Sequence, residues 1–253
     1  MNSSLTANYY IQTKAHWMKF LFSLLNNKKV NREVFPKYVD ASKIPALKLK
    51  IQQEFENLLS QLPEPTIKQN NQFTRFMVIT AVSLAFYRIL KEEGFGLHQI
   101  GQIIFEIADM YYMTMNPLIK RIERWFYSLS TSQKKIKNKL EEYKKKTEAI
   151  PTDYRVDFIE GDGENLLWGL NYTECGGLKF LKQQNALEIA PYLCICDYPM
   201  FRAIKVGFNR TQNLAIGGTM CDFRFYKNYP TPTGWPLESL DEYKDFFAKK
   251  LKT

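Results

Sequence analysis

The sequence has few of the residues that bind metals or form disulfides. It contains two histidines, His16 and His98, and four cysteines in 253 residues, with no CxxC pair. The cysteines follow the spacing Cys-x18-Cys-x-Cys-x24-Cys, which is weak as a zinc pattern. A cysteine-rich metal site stays open as an alternative, and our prediction is that the chain uses no metal and no cofactor.

The sequence also lacks an apolar run long enough to cross a membrane. Its longest, from Phe76 to Phe86, is bounded by Arg75 and Arg88 and is shorter than the roughly 20 residues that a membrane helix needs. The apolar stretch WMKFLFSLL is interrupted by Lys19 and is followed by no small-residue cleavage site, which argues against a signal peptide. We therefore predict that the run from Phe76 to Phe86 forms a buried helix. We also predict a cytoplasmic protein that has free thiols and no membrane partner.

The net charge is +9, and most of it is local. Residues 120–146 contain ten basic and three acidic residues, a balance of +7. The run SQKKIKNKLEEYKKK can bind phosphates, but such runs are typical of a solvated helix face or a linker. Because no nucleic-acid motif accompanies it, we predict no nucleic-acid partner.

The first half of the chain has helical apolar spacing from Leu5 to about Tyr143. Pro45 suits the first turn of one helix, and Gly94 suits the end of another. The segments are HWMKFLFSLL, PALKLKIQQEFENLLSQL, QFTRFMVITAVSLAFYRILKEEG and HQIGQIIFEIADMYYMTMNPLIKRIERWFYSL. We predict a mostly helical region over residues 1–150, built as helical hairpins or a bundle.

The second half changes character after Ile150-Pro151. YRVDFIEG and LLWGLNY alternate around the turn GDGEN and predict a hairpin, and VGFNRTQNLA with TMCDFRFY predicts a second one. GGLKFLKQQ, PYLCICDYPMFRAI and PLESLDEYKDFFAKKL predict helices. We predict an α+β protein whose helical region packs on an antiparallel sheet formed within residues 151–253, as one integrated globular unit.

The first candidate site is NYTECGGLKF, where a thiol follows a strand and precedes a helix. A helix N-terminus favours negative charge, so it would stabilise a Cys175 thiolate. The backbone at Gly176 and Gly177 can approach a ligand and donate N–H groups, and Glu174 can exchange a proton. Thr173 ends the strand beside them. The alternative is a tight turn with a packed thiol.

The second candidate is PYLCICDY. If residues 191–203 form one helix, Cys194 and Asp197 share a face while Cys196 points about 200° away from Cys194. A buried aspartate is costly without a partner, which makes Asp197 the stronger candidate for function. The alternative is a helix cap or an ion pair with Arg202 or Lys205.

The third candidate is GGTMCDFRFYK. On a regular strand Cys221 and Phe223 face one side with Phe225, while Asp222 and Arg224 face the other. The first set predicts a core or pocket wall, and the second predicts a polar face.

Arginines near this strand are candidate anchors for a substrate carboxylate. Arg210, on the partner strand, and Arg224 both carry the forked donors that match a carboxylate.

These motifs together resemble the L-2-amino-thiazoline-4-carboxylic acid hydrolase family. The shared pattern is a Thr/Glu-Cys-Gly step, a Pro-x-Leu-Cys-x-x-Asp helix, an Arg-Thr strand and a Gly-Gly-x-x-Cys-Asp-Phe strand, over roughly residues 165–227. By position it carries over to Cys175, Cys194, Asp197, Arg210, Cys221 and Asp222. Cys196 is not part of it. The last hairpin also resembles the Cys-containing end of 4-vinyl-reductase type ligand-binding domains, which implies a related α+β pocket.

The resemblance implies a hydrolase that opens a cyclic amidine at a C–N bond of a thiazoline ring and leaves an N-carbamoyl cysteine type product. We expect Cys175 to attack the amidine carbon, Asp197 to move protons, the glycine amides to steady developing charge, and Arg210 or Arg224 to hold the substrate. The expected partner is a small-molecule substrate, and a homo-oligomer is left open.

Two other interpretations stay open. One is a different transformation of a sulfur- or nitrogen-containing natural-product precursor in the same pocket. The other is a non-catalytic small-molecule-binding domain.

Overall fold

A computed structural model describes residues 8–65, 72–147 and 154–250 of the chain. The chain divides into two compact units, Met1–Ile107 and Ala108–Thr253. The predicted start of the helical region at Leu5 and the predicted boundary at residues 150 and 151 lie outside the described residues, and the predicted division stays a prediction.

The described part of the first unit is helical. Its elements are α1 (Tyr9–Gln12), α2 (Lys14–Leu25), a π-helical turn (Val30–Val34), α3 (Phe35–Tyr38), α4 (Ile44–Leu59), α5 (Gln72–Glu92) and α6 (Leu97–Thr114), which continues into the second unit. Pro45 lies in the first turn of α4, and Gly94, with a φ of 89°, follows the end of α5, as predicted. The buried residues of α4 recur every three or four positions and pack against α5.

Helix α5 is apolar on all sides. By length and composition it is the one helix in the described residues that is able to cross a membrane, and 78% of its most apolar stretch is buried inside the protein. The core helix of a soluble protein has the same properties, so the predicted buried helix is confirmed.

The second unit combines helices with a four-stranded sheet, which confirms the predicted α+β class. The helices are α7 (Pro117–Ser128), α8 (Ser130–Thr147), α9 (Gly176–Gln183), α10 (Ala190–Cys194), α11 (Asp197–Ile204) and α12 (Asp241–Lys250). The strands are β1 (Arg155–Glu160), β2 (Leu166–Glu174), β3 (Gly207–Asn209) and β4 (Cys221–Tyr226).

The first predicted hairpin forms, and the two strands of the second pair as predicted, but its first strand ends at Asn209 and leaves Arg210 in a connection that contains a 3-10 turn at Leu214–Ile216. The two pairs join through their longer strands. The sheet order is β1-β2-β4-β3, with every neighbouring pair antiparallel. Tyr172 pairs with Cys221, and Leu170 pairs with Phe223, so these four side chains share one face. Arg224 contacts Asn171 on the opposite face, which confirms the predicted alternation along β4.

An aromatic layer covers the face that carries Phe223. Trp168 stacks on Tyr127 of α7 at 5.4 Å between ring centroids and lies 4.4 Å from Phe225. Phe201 of α11 lies 5.0 Å from Phe225 and 5.4 Å from Tyr127. The Trp168 Nε1–H donates to the Tyr127 carbonyl at 3.0 Å. This layer therefore fixes α7 and α11 against the sheet.

Two predicted helical segments are each divided. The last segment of the first half breaks before Pro117, where the side chain of Asn116 accepts the Leu118 N–H and starts α7. The segment 191–203 is two helices, α10 and α11, joined by a turn at residues 195 and 196. The physical reason is Pro199, which has no N–H to donate and whose ring clashes with the carbonyl four residues earlier.

The basic run forms helix α8 rather than a linker. Lys137 pairs with Glu160 at 2.6 Å and Lys144 with Asp157 at 2.8 Å, so the helix lies along β1. These exposed pairs add little stability, but they show that acidic residues of β1 offset part of the local charge.

We predict that Trp168→Ala destabilises the protein by ~3–5 kcal/mol, because it empties the centre of the aromatic layer. Trp125→Ala is the matched control, since Trp125 is 62% exposed, and should change stability by no more than ~0.5 kcal/mol. Urea unfolding of both variants measures the difference. Equal effects would contradict the assigned packing.

Candidate active site

Asp197 is the first residue of α11, and its carboxyl group faces a buried arginine. Its Oδ2 accepts from Arg210 Nη1 at 3.0 Å. The group is enclosed closely enough that burial is the main influence on its pKa, yet 34% of its side-chain surface is accessible. A side chain that lines a recess inside the protein has both properties.

Arg210 follows β3 and is 1% exposed. Its Nε and Nη2 donate to Glu242 at 2.7 and 2.9 Å, and Nη2 also donates to the Cys194 carbonyl at 3.1 Å. The guanidinium lies 5.2–5.8 Å from three ring centroids, those of Tyr198, Phe208 and Phe223. Together with the contact to Asp197, these bonds engage four of the five N–H donors of Arg210 within the protein. Arg210 is therefore better suited to a positioning role than to the predicted role of substrate anchor.

Glu242 of α12 completes the ion pair, and sequence reasoning missed it. Its side chain is 0% exposed and also accepts from the Tyr198 hydroxyl at 2.8 Å and from Asn213 Nδ2 at 2.6 Å. Glu242 stands among several acids in an ordinary amphipathic stretch, and Arg210 is 32 residues away. No local pattern marks it as buried.

The charges in this cluster explain the pKa of Asp197. The guanidinium of Arg210 donates two hydrogen bonds to the carboxylate of Glu242 and one to that of Asp197. Burial raises the pKa of Asp197 to about 6; the charge of Arg210 opposes the rise and the charge of Glu242 adds to it. Asp197 therefore changes protonation near neutral pH, as a general base must.

Cys175 caps α9 at the predicted strand-to-helix junction. The backbone N–H groups of Gly177 and Leu178 lower the pKa of its thiol and so favour the thiolate, although the Cys175 side chain makes no capping hydrogen bond to α9. Burial outweighs them and raises the pKa of Cys175, and the charge of Asp197 raises it further. The helix N-terminus thus favours the thiolate and desolvation opposes it more strongly, so the predicted thiolate stays a prediction.

Two further thiols lie within electrostatic reach of the same group. Burial raises the pKa of Cys194 well above its usual value, and that of Cys221 to about 12. Arg210 lowers both, while Cys175 and Asp197 raise both. The Leu214 N–H donates to Cys221 Sγ at 3.3 Å. The charge of Asp197 thus acts on the thiols of Cys175, Cys194 and Cys221, and the predicted catalytic roles of these residues stay a prediction.

Cys196 takes a different direction. Its Sγ donates to the Tyr192 carbonyl at 3.4 Å, one turn back along the chain. Burial and the charges of Asp197 and Asp109 raise its pKa. The Cys196 thiol is therefore hydrogen-bonded to the backbone of α10.

The structure does not place Glu174 or Thr173 in this group. Glu174 pairs with Lys179 and keeps 44% of its side-chain surface accessible. Thr173 is exposed, and the side chain of its neighbour Tyr172 is buried on the opposite face of β2. Their predicted roles beside Cys175 have no contact in the described residues that supports them.

The residues on the predicted polar face of β4, Asp222 and Arg224, form hydrogen bonds within the protein. Asp222 accepts from the Thr211 N–H and the Gln212 N–H, each at 2.9 Å, and from Thr211 Oγ1 at 2.6 Å. It therefore shapes the loop after Arg210. Arg224 Nη1 donates to Asn171 Oδ1 at 2.9 Å. Substrate binding by Asp222 or Arg224 stays a prediction.

Three tyrosines lie within electrostatic range of Asp197. They were not singled out from the sequence. Burial raises the pKa of Tyr112, Tyr127 and Tyr172, and the charge of Asp197 contributes to each rise. Tyrosines at these positions follow the ordinary apolar spacing of core residues, so no signal in the sequence separates them from packing.

The described His, Cys, Asp and Glu side chains do not form a cluster that could bind a metal ion. Within residues 8–65, 72–147 and 154–250, no three His, Cys, Asp or Glu side chains lie together so that they could hold a metal ion.

Fold and site define an α+β protein with thiols and a buried, titrating carboxyl group at one face of an antiparallel sheet. A family model described as L-2-amino-thiazoline-4-carboxylic acid hydrolase matches residues 75–225, more than half of the chain. The chain belongs to this family, which is named for hydrolysis of a thiazoline, and the predicted resemblance is confirmed. Comparison with curated proteins and with solved structures found no significant match. The likeness to vinyl-reductase domains stays a prediction.

We predict that the carboxyl group of Asp197 titrates near pH 6 and that Glu242→Gln lowers this midpoint, because the negative charge that helps to raise the pKa is removed. Carbon-13 NMR of aspartate-labelled protein measures the titration, with Asp197→Asn assigning the signal. Asp241→Asn is the matched control, since Asp241 is 78% exposed on the same helix and should leave the midpoint unchanged.

A folded Glu242→Gln protein with the wild-type midpoint would contradict the assigned charge balance. Near-UV circular dichroism checks that this variant keeps its tertiary structure.

Proposed function

We propose that the protein hydrolyses a cyclic amidine of the thiazoline type, with Cys175 as nucleophile and Asp197 as general base. The observation that carries the proposal is the carboxyl group of Asp197, whose pKa of about 6 comes with partial access and a fixed partner. Family membership supports the reaction class. The electrostatic coupling between Asp197 and Cys175 supports the roles proposed for these two residues.

The first step is attack on the amidine carbon. Asp197 takes the thiol proton as Cys175 attacks, because a thiol with a raised pKa transfers its proton uphill and the transfer must accompany bond formation. The N–H groups of Gly177 and Leu178 stabilise charge on the sulfur. Leu178 replaces Gly176 in the role expected for the two glycine amides.

The product decides which ring bond breaks. An N-carbamoyl cysteine keeps the bond between the amidine carbon and the ring nitrogen, so an opening that gives this product breaks the carbon–sulfur bond. Cleavage of the ring C–N bond would give an S-carbamoyl cysteine with a free amine instead. Our proposal is carbon–sulfur cleavage, in which protonated Asp197 returns its proton to the departing sulfur.

The second step releases the enzyme. Asp197 takes a proton from water, the hydroxide adds to the carbon bound to Cys175, and the Cys175 sulfur leaves as the thiol when Asp197 returns that proton to it. The sum is substrate plus one water to the carbamoyl product, with no nitrogen lost and both residues restored. The same carboxyl group thus acts as base and then as acid in each step.

Arg210 acts through Asp197 in this scheme. Its contacts with Glu242 fix the position of the guanidinium, which in turn donates a hydrogen bond to Asp197. Cys194 and Cys221 line the site as neutral thiols. For the substrate carboxylate, Lys179 is a further candidate, since Arg224 lies on the face of the sheet opposite to Cys221. The charge of Lys179 lowers the pKa of Cys175, so it lies on the thiol's side of the site.

We predict that Cys175→Ser and Asp197→Asn each lower kcat/KM for L-2-amino-thiazoline-4-carboxylic acid by ~10²-fold or more, the lower end of what a general base contributes. Cys196→Ser is the matched control and should retain activity, because serine can keep the bond to the Tyr192 carbonyl. A thiol reagent detects carbon–sulfur cleavage, and an amine reagent detects C–N cleavage.

Full activity in both Cys175→Ser and Asp197→Asn would sink the assignment of roles. Substrate that binds without turnover would support the alternative of a non-catalytic binding domain. Turnover of other sulfur or nitrogen heterocycles, with none of this substrate, would support the other alternative.

We also predict that kcat/KM falls as pH drops through about 6, because the base must be ionised and its pKa has that value in the free protein. Below the midpoint the loss approaches tenfold per pH unit. Glu242→Gln should move this acid limb to lower pH, and Asp241→Asn should not. An acid limb near pH 4 in the wild-type protein would assign the base to another carboxylate.

A further inference from the structure

Helix α7 presents its apolar side to solvent. Its exposed large apolar residues are Leu118 at 63%, Ile119 at 48%, Ile122 at 53%, Trp125 at 62% and Phe126 at 40%. No residue of α7 is buried, in contrast to the core helices. An exposed apolar surface of this kind marks a binding site more often than it marks packing.

The packing of α7 explains why this side faces outward. Tyr127 is the residue that joins α7 to the aromatic layer, through Trp168, Phe201 and Phe225. At 100° per residue, Leu118, Ile122 and Trp125 fall within a sector of about 60° that lies far from the direction of Tyr127. Turning the apolar side inward would remove Tyr127 from the layer.

Basic residues are exposed on α7 and on the helix that follows it. At 100° per residue Arg121 and Arg124 lie on one flank of the apolar side of α7. Lys134, Lys135 and Lys139 of the following helix are also exposed. The stretch from residue 120 to residue 146 carries a balance of +7. This arrangement favours an occupant with negative charge next to an apolar layer.

We propose that α7 lies on the surface of an anionic lipid membrane, with the apolar side of Leu118, Ile122 and Trp125 in the interface. A helix that has Trp, Phe and Leu on one side and Lys or Arg on the other is the kind that lies in the plane of a membrane. Such binding needs neither a spanning segment nor a signal peptide. The prediction of no membrane partner rested on the absence of those two features alone.

A second copy of the chain fits this surface less well. Twelve residues of helix extend about 18 Å, and the apolar side of a helix is roughly 10 Å wide, far below the ~800 Å² per partner of a stable interface. Two copies would also bring two basic clusters together. A membrane meets neither difficulty.

The test is co-sedimentation of the full chain with vesicles of phosphatidylcholine, alone or mixed with phosphatidylglycerol. We expect binding to the mixed vesicles, weakened at least ~10-fold in Ile122→Glu/Trp125→Glu and by about 5-fold for each charge removed in Arg121→Gln and Arg124→Gln. Leu187→Glu is the matched control, since Leu187 is 44% exposed on another element of the same unit, and should bind as the wild type does.

Three outcomes would overturn the proposal. One is a folded wild-type protein that does not bind the mixed vesicles. Another is a dimer in analytical ultracentrifugation that Ile122→Glu/Trp125→Glu dissociates, which assigns the surface to a second copy. The third is vesicle binding that survives this substitution and depends only on the arginines, which assigns the surface to any polyanion, nucleic acid included.

Discussion

The buried ion pair between Arg210 and Glu242 is the constraint on which the site depends. Both side chains are almost fully excluded from solvent, so removing either would leave an unpaired buried charge, at a cost of ~3–5 kcal/mol. The pair therefore fixes α12 to the loop after β3, and through the Cys194 carbonyl and Asp197 it also fixes α10 and α11. Glu242 lies beyond the residues matched by the family model, yet it completes the cluster that the matched residues begin.

The same pair decides the protonation of the site. Burial raises the pKa of Asp197 to about 6, because the charge of Arg210, which opposes the rise, is itself partly offset by the charge of Glu242. Burial raises the pKa of the thiols of Cys175, Cys194 and Cys221, and the charges of Lys179 and Arg210 only partly oppose this rise. A site of this kind holds few charges until a substrate arrives, and the carboxyl group that titrates near neutral pH is the one suited to start the chemistry.

Packing on the sheet links the site to the outer surface. Phe201 belongs to the helix that carries Asp197, and it meets Trp168, Tyr127 and Phe225 in one aromatic layer. The residue that joins α7 to this layer is Tyr127, which sets the rotation of α7 and turns its apolar side to solvent. The exposed side of α7 is thus a consequence of the packing that positions α11, and not of the sequence of α7 alone.

Local spacing in the sequence determined the helices of the first half, the first hairpin, the pairing of strands in the second and the alternation along β4. Pro199 was also a readable signal, because a proline ends a helix upstream, and overlooking it joined α10 to α11. Only the tertiary structure decided the partner of Arg210, the direction of the pKa of Cys175 and the outward side of α7. The reason is physical. Periodicity reports on neighbours a few residues apart, whereas desolvation and buried ion pairs depend on side chains that folding brings together, as it does Arg210 and Glu242 across 32 residues.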